Sequence, residues 1–347
     1  MKRTEILPSD SRVPWIDAFR GVMAFLIVWG HCIIIESASP LYRFFYTFHV
    51  QAFFFISGYC FSEKKEFFPF LKRKAYTLLL PYGIFALVSI LLYLTLFRYT
   101  SSVFQVVYGG LSLKDCLLGA IYANPASGRM EWNFSLWFLP CLFVCQLVFY
   151  PFARFWQRLE ARGNTAKVIG AVAAMTITGA LSFLINEVLG LSDLPWGLEA
   201  VATVLPYIVC GFVLRRFRLL ELRKKWMLPV GLILIAAEGF AVWFDIERTG
   251  FFGIIGFAFL SQFLCLRGLR YMGRHAIEML VLQHFFGAVV LLHPAFSPLL
   301  GRNELFPFLS AVLITLLTLG LGWLIAKPAP FTFGYPVKQS REKMSIE

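Results

Sequence analysis

The chain has 347 residues, of which 59% are hydrophobic and 15% charged, and its formal net charge is +12. A soluble domain carries about 25% charged residues, so this composition excludes an ordinary water-soluble globule and indicates an integral membrane protein. The mean hydropathy of +0.70 points the same way.

Ten apolar segments are predicted to be membrane-spanning helices, because a span needs about 20 mostly apolar residues. They are about 14–37, 44–62, 75–98, 134–155, 167–189, 196–214, 226–246, 250–266, 272–292 and 306–327. The N-terminal sequence lacks the pattern of a cleaved signal peptide, so the first segment is expected to remain in the protein. The predicted fold class is all-α, a polytopic membrane protein.

The basic residues support this count and give an orientation. Of the 32 Lys and Arg, 25 fall in the tails and alternate loops, 6 in the opposite loops, and Arg20 within the first span. Basic residues crowd cytoplasmic loops, so both termini are predicted to be cytoplasmic. Because the charge is spread over many loops without a basic groove, it predicts no nucleic-acid partner. We expect an N-terminal tail (1–13), one transmembrane domain (14–330), a C-terminal tail (331–347) and a multi-pass protein of the cell inner membrane.

Three further features of the sequence are a short amphipathic stretch, the cysteines and the polar C-terminal tail. The stretch LSLKDCLLGAIY, in the long outer loop at about 99–133, is predicted to be a short amphipathic helix at the membrane surface. The seven cysteines form no CxxC pair and mostly lie in apolar runs. We therefore interpret them as packing residues and not as a disulfide or metal framework. The polar end of the C-terminal tail is expected to be disordered.

The first span carries a line of polar groups. Arg20 and His31 are eleven residues apart, which is 20° beyond three helical turns, so they share one face about 16 Å apart. Asp17, one turn before Arg20, joins that face. Ionisable groups inside a span usually face an interior cavity. The alternative interpretation is that Asp17 pairs with Arg20 at the inner interface and that His31 is only packed.

The second span brings another histidine to a similar depth. It runs back from the outer side, so His49 lies near the level of His31. Histidine is the side chain best suited to moving protons near neutral pH. Gly58 follows deeper, where it either permits close helix packing or belongs to a functional Ser-Gly-Tyr motif.

Other polar residues occur at the later spans. Glu131, Asn133 and Trp137 lie where the outer loop meets the fourth span. Further polar groups within spans are Glu238, Gln262, Gln283 and His284. The histidines lack the spacing of metal ligands on a helix, so no metal is expected.

Four blocks of this sequence together resemble a known family. The blocks WIDAFRGVMAFLIVWGH, FYTFHVQAFFFISGYCF, SLWFLPCLFVCQLVFY and YMGRHAIEMLVLQHFF, in this order and spacing, closely resemble the acyltransferase-3 family of integral membrane acyltransferases. The FH…FFFISGY and WFLP variants look most like its fucose 4-O-acetylase-like branch.

The resemblance implies a function and several site residues. Such enzymes move an acetyl group from cytoplasmic acetyl-CoA, as co-substrate, to a hydroxyl of a cell-surface glycan or lipid-linked sugar. The family's Arg-x10-His signature falls on Arg20 and His31, and its first-helix aspartate on Asp17. Its other histidines fall on His49 and His284. The candidates for binding the acceptor are Glu131, Asn133, Trp137 and His284. Trp137, like Trp132, could stack on a sugar face.

One motif departs from the family pattern. Many members have RxxR before the third span, whereas this chain has LKRKAYTLLLPY. Lys72, Arg73 and Lys74 keep a cationic cluster there, and with Arg20 they are candidates for binding the CoA phosphates.

These residues predict a mechanism. The pantetheine arm lies along the polar face of the first span, and His31 acts as general base toward the acceptor hydroxyl. His49 orients His31 or stabilises the oxyanion. A covalent acetyl-histidine is the alternative route.

Two other classes of function remain open at this point. A proton-coupled transporter or flippase of a glycan precursor also has many spans with buried ionisable groups, although this chain lacks repeated halves. The other class is a binding or assembly subunit of a polysaccharide export complex, without chemistry of its own.

Overall fold

The computed structural model describes residues 13–33, 39–62, 66–97, 110–220, 225–246, 250–291 and 305–335. The polar ends of both predicted tails and the first part of the long outer loop lie outside these ranges. The described residues form fourteen α-helices: α1 Pro14–Cys32, α2 Pro40–Tyr46, α3 Gln51–Tyr59, α4 Phe67–Lys74, α5 Leu80–Leu92, α6 Leu113–Tyr122, α7 Phe138–Ala161, α8 Asn164–Phe183, α9 Leu198–Arg216, α10 Met227–Trp243, α11 Phe251–Ser261, α12 Arg267–Arg274, α13 Ala276–Leu291 and α14 Leu305–Ala326. Short 3₁₀ segments lie at Pro125–Ser127, Phe134–Trp137, Pro195–Gly197 and Pro330–Phe333.

The all-helical prediction is confirmed for the described residues. Within them, five helical segments are long and apolar enough to cross a membrane: Phe67–Leu96, Phe134–Ala161, Asn164–Val188, Pro195–Arg216 and Leu305–Ala326. Three apolar helices are shorter: Met227–Trp243, Phe251–Ser261 and Ala276–Gly287. The count of ten spans and the cytoplasmic position of both termini stay predictions.

The outward face of α8 shows what surrounds the protein. Only 6% of its most apolar stretch is buried inside the protein. Ile169, Val172 and Ile177 are each more than 60% exposed. An apolar surface of this kind is unfavourable in water and favourable against lipid chains, so this helix faces the bilayer.

The second predicted span differs from a single helix. α2 and α3 are separated by a turn at Thr47–Val50, and His49 lies in that turn. The Thr47 hydroxyl donates to the Phe44 carbonyl at 2.8 Å, and His49 Nδ1–H donates to the Phe45 carbonyl. These side chains compete for backbone groups at the turn, which hydropathy does not reveal.

The third predicted span begins earlier than expected. The helix begins at Phe67 rather than near residue 75, so the basic run Lys72–Lys74 is helical. Lysine, arginine and leucine are good helix formers, and the expected loop boundary rested on charge alone. A π-helical turn at Ala75–Leu79 follows, in which the Leu80 amide donates to the Ala75 carbonyl. Pro81, which has no N–H to donate, lies directly after this turn.

The ninth predicted span is also divided. α12 and α13 are separate helices on either side of His275. α12 packs directly on α1, because Gly21 and Gly273 face each other across the contact. A Cβ on Gly273 would lie 1.7 Å from the Asp17 carbonyl oxygen, and one on Gly21 would lie 1.9 Å from the Leu269 oxygen. The two backbones touch, which fixes Arg274 beside α1.

Gly58 allows two helices to pack closely, which is one of the two roles predicted for it. A Cβ on Gly58 would lie 2.0 Å from the Ile208 carbonyl oxygen, so α3 and α9 also meet backbone to backbone. The approach holds α3 against the core formed by α7, α8 and α9. The interpretation of Gly58 as a close-packing residue is confirmed.

The helix predicted in the long outer loop is present as α6, and its position at the membrane surface stays a prediction. Ser112 and Asp115 form a capping box at its start, in which the Asp115 amide donates to Ser112 Oγ at 3.2 Å. The hydroxyl and backbone N–H of Ser112 donate to the Asp115 carboxylate and lower its pKa. The cap explains why the helix begins at Leu113.

Candidate active site

One cavity of about 400 Å³ runs along the polar face of α1. Its walls come from α1, α3, the π turn after α4, the start of α7, α12 and α13. Arg20 lies at one end and His31 at the other, with Ala24, Ile27 and Val28 between them. The helical rise separates the two ends by about 16 Å, and the side chains of α1 between them are apolar, so the cavity is a mostly apolar passage from a cation to an imidazole.

Three cations line the end at Arg20. They are Arg20 itself, Lys74 and Arg274. Arg20 Nη2 lies 3.8 Å from the sulfur of Cys60, and among the described residues Arg20 has no carboxylate partner. A concave site with several cations is suited to an anionic group such as a phosphate.

The basic run before the third span divides between the cavity and the exterior. Lys74 lines the cavity, and its ammonium lies 5.6 Å from the centre of the Phe70 ring. Lys72 and Arg73 are exposed and do not line it. Because successive helical residues differ by 100° in direction, three consecutive cations cannot all face one cavity. Of the three residues predicted to bind the CoA phosphates, only Lys74 is therefore placed to do so within the cavity.

Asp17 is buried and forms an ion pair with Arg274, which was not among the predicted site residues. Its carboxylate accepts from Arg274 Nε at 3.1 Å. The expected alternative, an Asp17–Arg20 pair, is not what the structure contains. Asp17 itself does not line the cavity, so it acts on the cavity through Arg274.

The segment after α14 also reaches this end of the cavity. Tyr335 lines the cavity, and its hydroxyl lies 2.7 Å from each carboxylate oxygen of Glu278 and donates to it. Glu278 is fully buried and also pairs with His275 Nδ1 at 2.8 Å. Residues 331–335, which the sequence assigns to a tail, are thus packed into the fold.

His31 has a defined orientation at the opposite end. Its Nδ1 lies 3.3 Å from Gln283 Oε1, and Gln283 Nε2 lies 3.5 Å from the Leu280 carbonyl. The amide oxygen of Gln283 therefore faces His31 and accepts from Nδ1–H. In this tautomer Nε2 of the neutral imidazole carries the lone pair, so it can accept a proton or attack a carbon.

His49 is not the partner of His31. It is buried, its Nδ1–H is bound to Phe45, and its ring contacts Tyr46 with 4.6 Å between centroids. Tyr46 in turn packs against Gly30. His49 does not line the cavity, and the side chain that hydrogen-bonds to His31 is Gln283.

An aromatic ring, that of Phe134, packs against His31. The Phe134 ring contacts His31 at 5.2 Å and His284 at 5.4 Å between centroids. Phe134 and Trp137 line the cavity, whereas His284 does not. Ser135, next to Phe134, lines the cavity, and its buried Oγ has no hydrogen-bond partner among the described residues.

The remaining predicted acceptor residues lie outside the cavity wall. The Asn133 amide donates to Ser89 Oγ at 3.1 Å and to the Val281 carbonyl at 3.3 Å, so it joins α5 to α13. Glu131 does not line the cavity either. Trp132 is buried, with its indole N–H donating to the Arg129 carbonyl at 2.7 Å. Of the predicted acceptor residues, only Trp137 lines the cavity.

Several cavity residues were absent from the sequence-based set. Arg274 stood in the quoted YMGRH block, and Gln283 was noted only as a polar group within a span; neither was predicted to be a site residue. Gln262 and Glu238 have structural partners: Gln262 donates to the Leu220 carbonyl, and Glu238 accepts from the Gly253 amide. Within the described ranges, no three His, Cys, Asp or Glu side chains are grouped as a metal site requires.

Comparison with known proteins identifies the family. Residues 13–327 match the acyltransferase domain of the acyltransferase-3 family, which is nearly the whole chain. No curated protein and no solved structure matches the chain. With this match and the membrane-facing helices described above, the chain belongs to the acyltransferase-3 family of membrane acyltransferases.

Proposed function

We propose that this protein is an O-acetyltransferase that uses cytoplasmic acetyl-CoA and acetylates a hydroxyl of a cell-surface glycan or lipid-linked sugar. The fucose 4-O-acetylase-like branch of the family is the proposed placement. The observation that carries the proposal is the single cavity that joins three cations to His31 along α1.

The cationic end suits the donor. CoA carries several phosphates, which charge-assisted hydrogen bonds from Arg20, Lys74 and Arg274 would hold. The pantetheine arm of CoA is long and thin, and its length is on the order of the roughly 16 Å of helical rise between Arg20 and His31. With the phosphates at the cations, the thioester is brought toward His31.

The opposite end suits the chemistry. The acceptor hydroxyl gives its proton to His31 Nε2 while its oxygen attacks the thioester carbonyl carbon. The tetrahedral oxyanion collapses, the carbon–sulfur bond breaks, and the CoA sulfur takes the proton from the imidazolium. Acyl transfer from a thioester to an alcohol is thermodynamically balanced or downhill, so no other energy source is required.

Two neighbours assist His31 in this proposal. Gln283 accepts from Nδ1–H and keeps the lone pair on Nε2. The Ser135 hydroxyl, which is unpaired among the described residues, donates to the developing oxyanion. Trp137 contacts the acceptor at the outer mouth, where an indole can stack on a sugar ring.

Mass spectrometry of surface polysaccharides tests the proposal. Cells with the wild-type protein should show an acetyl mass shift that is lost on deletion and in His31→Ala, with normal abundance of the variant in membranes. Cys32→Ala is the matched control, because Cys32 is buried beside His31 but does not line the cavity. Loss of unmodified glycan from the surface would instead favour a carrier, and acetylation that persists in His31→Ala would refute the proposed base.

A further inference from the structure

A polar pair interrupts the apolar middle of the cavity. Gln146 on α7 donates from Nε2 to Ser57 Oγ on α3 at 2.7 Å, and both residues line the cavity. Gln146 is only 4% exposed. Its Oε1 is buried and has no hydrogen-bond partner among the described residues.

The unused hydrogen-bonding groups of this pair are complementary to an amide. Ser57 Oγ accepts from Gln146, and among the described residues its own O–H has no acceptor. The pair therefore offers one donor, the Ser57 hydroxyl, and one acceptor, Gln146 Oε1. Amides carry the matching groups, an N–H and a C=O, but in a trans amide these point in opposite directions, so the pair is matched by the N–H of one amide and the C=O of a neighbouring amide. Leaving a buried acceptor unpaired is unfavourable, so a ligand that satisfies it gains affinity.

The position of the pair indicates which part of a ligand it meets. Cys60, at the end of α3, contacts Arg20 at the cationic end. Ser57 is three residues earlier, about 4.5 Å along the helix from Cys60. His31 lies about 16 Å from Arg20, so the pair is closer to the cations than to the imidazole.

We propose that Ser57 and Gln146 form an amide-recognition subsite for the pantetheine arm of the acyl donor, in which Gln146 Oε1 accepts from the N–H of the amide nearer to the phosphates and the Ser57 hydroxyl donates to the C=O of the next amide. The inference rests on the proposed function, since the pantetheine arm is the part of acetyl-CoA that carries amides between its thioester and its phosphates. The subsite recognises the pantetheine arm itself, whereas the cations at the Arg20 end of the cavity recognise only phosphates. The protein can therefore distinguish CoA thioesters from other anionic ligands.

Binding measurements on the purified full chain in lipid nanodiscs test the subsite without knowledge of the acceptor. The probes are CoA and adenosine 3′,5′-bisphosphate, which has phosphates and adenosine but no pantetheine arm. Gln146→Met removes the amide, and Ser57→Ala removes the hydroxyl from the other helix. Each should weaken CoA binding about tenfold, since one or two neutral hydrogen bonds are lost, and should leave bisphosphate binding unchanged.

Gln51→Met is the matched control. Gln51 also lies on α3, and its buried Oε1 has no hydrogen-bond partner in the described part of the chain, but it does not line the cavity. It should leave the affinity for both probes unchanged. If Gln146→Met and Ser57→Ala retain wild-type CoA affinity, or weaken both probes equally, the subsite is refuted while CoA binding stands. If the wild-type protein binds no CoA, both the subsite and the proposed donor are refuted.

Discussion

Replacement of Gly273 by alanine tests how the cationic end of the cavity is built. The added Cβ would lie 1.7 Å from the Asp17 carbonyl oxygen and 2.9 Å from the Gly21 amide nitrogen. Non-bonded carbon contacts are favourable near 3.5 Å, so the two backbones must separate by about 2 Å. Backbone cannot yield as a flexible side chain does, and the 3.1 Å bond from Arg274 to Asp17 would be broken.

The size of the effect follows from this clash. Overpacking at a close contact lowers the free energy of unfolding by about 1–3 kcal/mol. At about 2 kcal/mol, the ratio of folded to unfolded protein falls about 30-fold. Thermal unfolding of the purified protein in nanodiscs measures the loss, and CoA binding measures whether Arg274 has moved.

Gly268→Ala is the matched control for this substitution. Gly268 lies on the same helix, α12, but an added Cβ there has nothing within 4 Å. Alanine is the better helix former, so this variant should be as stable as wild type or slightly more so. Equal melting temperatures for Gly273→Ala and Gly268→Ala would refute the direct contact of α12 with α1.

Three further substitutions test the two ends of the cavity. Arg274→Gln should weaken CoA binding about tenfold, whereas Arg73→Gln at an exposed position should not; equal effects would contradict the assignment of Arg274 to the cavity. Ser135→Ala should lower kcat for acetyl transfer about 100-fold with little change in KM, and an unchanged kcat would exclude it as the oxyanion donor. Gln283→Leu should lower kcat about tenfold because it removes one neutral hydrogen bond to His31, and it should leave CoA affinity intact. Weaker CoA binding would indicate a packing role for Gln283 instead.

The helical class, the relation of Arg20 to His31 and the packing role of Gly58 could be predicted from the sequence. Each depends on local regularities: apolar length, the 100° turn per residue and the absence of a Cβ. Such regularities hold wherever the chain stays helical, whatever it packs against.

Other features depend on contacts between distant parts of the chain. Asp17 binds Arg274, more than 250 residues away, and His31 binds Gln283 at a similar separation. No spacing rule connects such pairs. Helix breaks such as the turn at His49 arise from side-chain bonds to the backbone, which hydropathy does not register.

A cryo-electron microscopy structure of the protein with CoA bound tests the central claim most directly. We expect the CoA phosphates to contact Arg20, Lys74 and Arg274, the pantetheine arm to follow α1, and the sulfur to lie beside His31. CoA bound outside the cavity, or with its sulfur remote from His31, would contradict it.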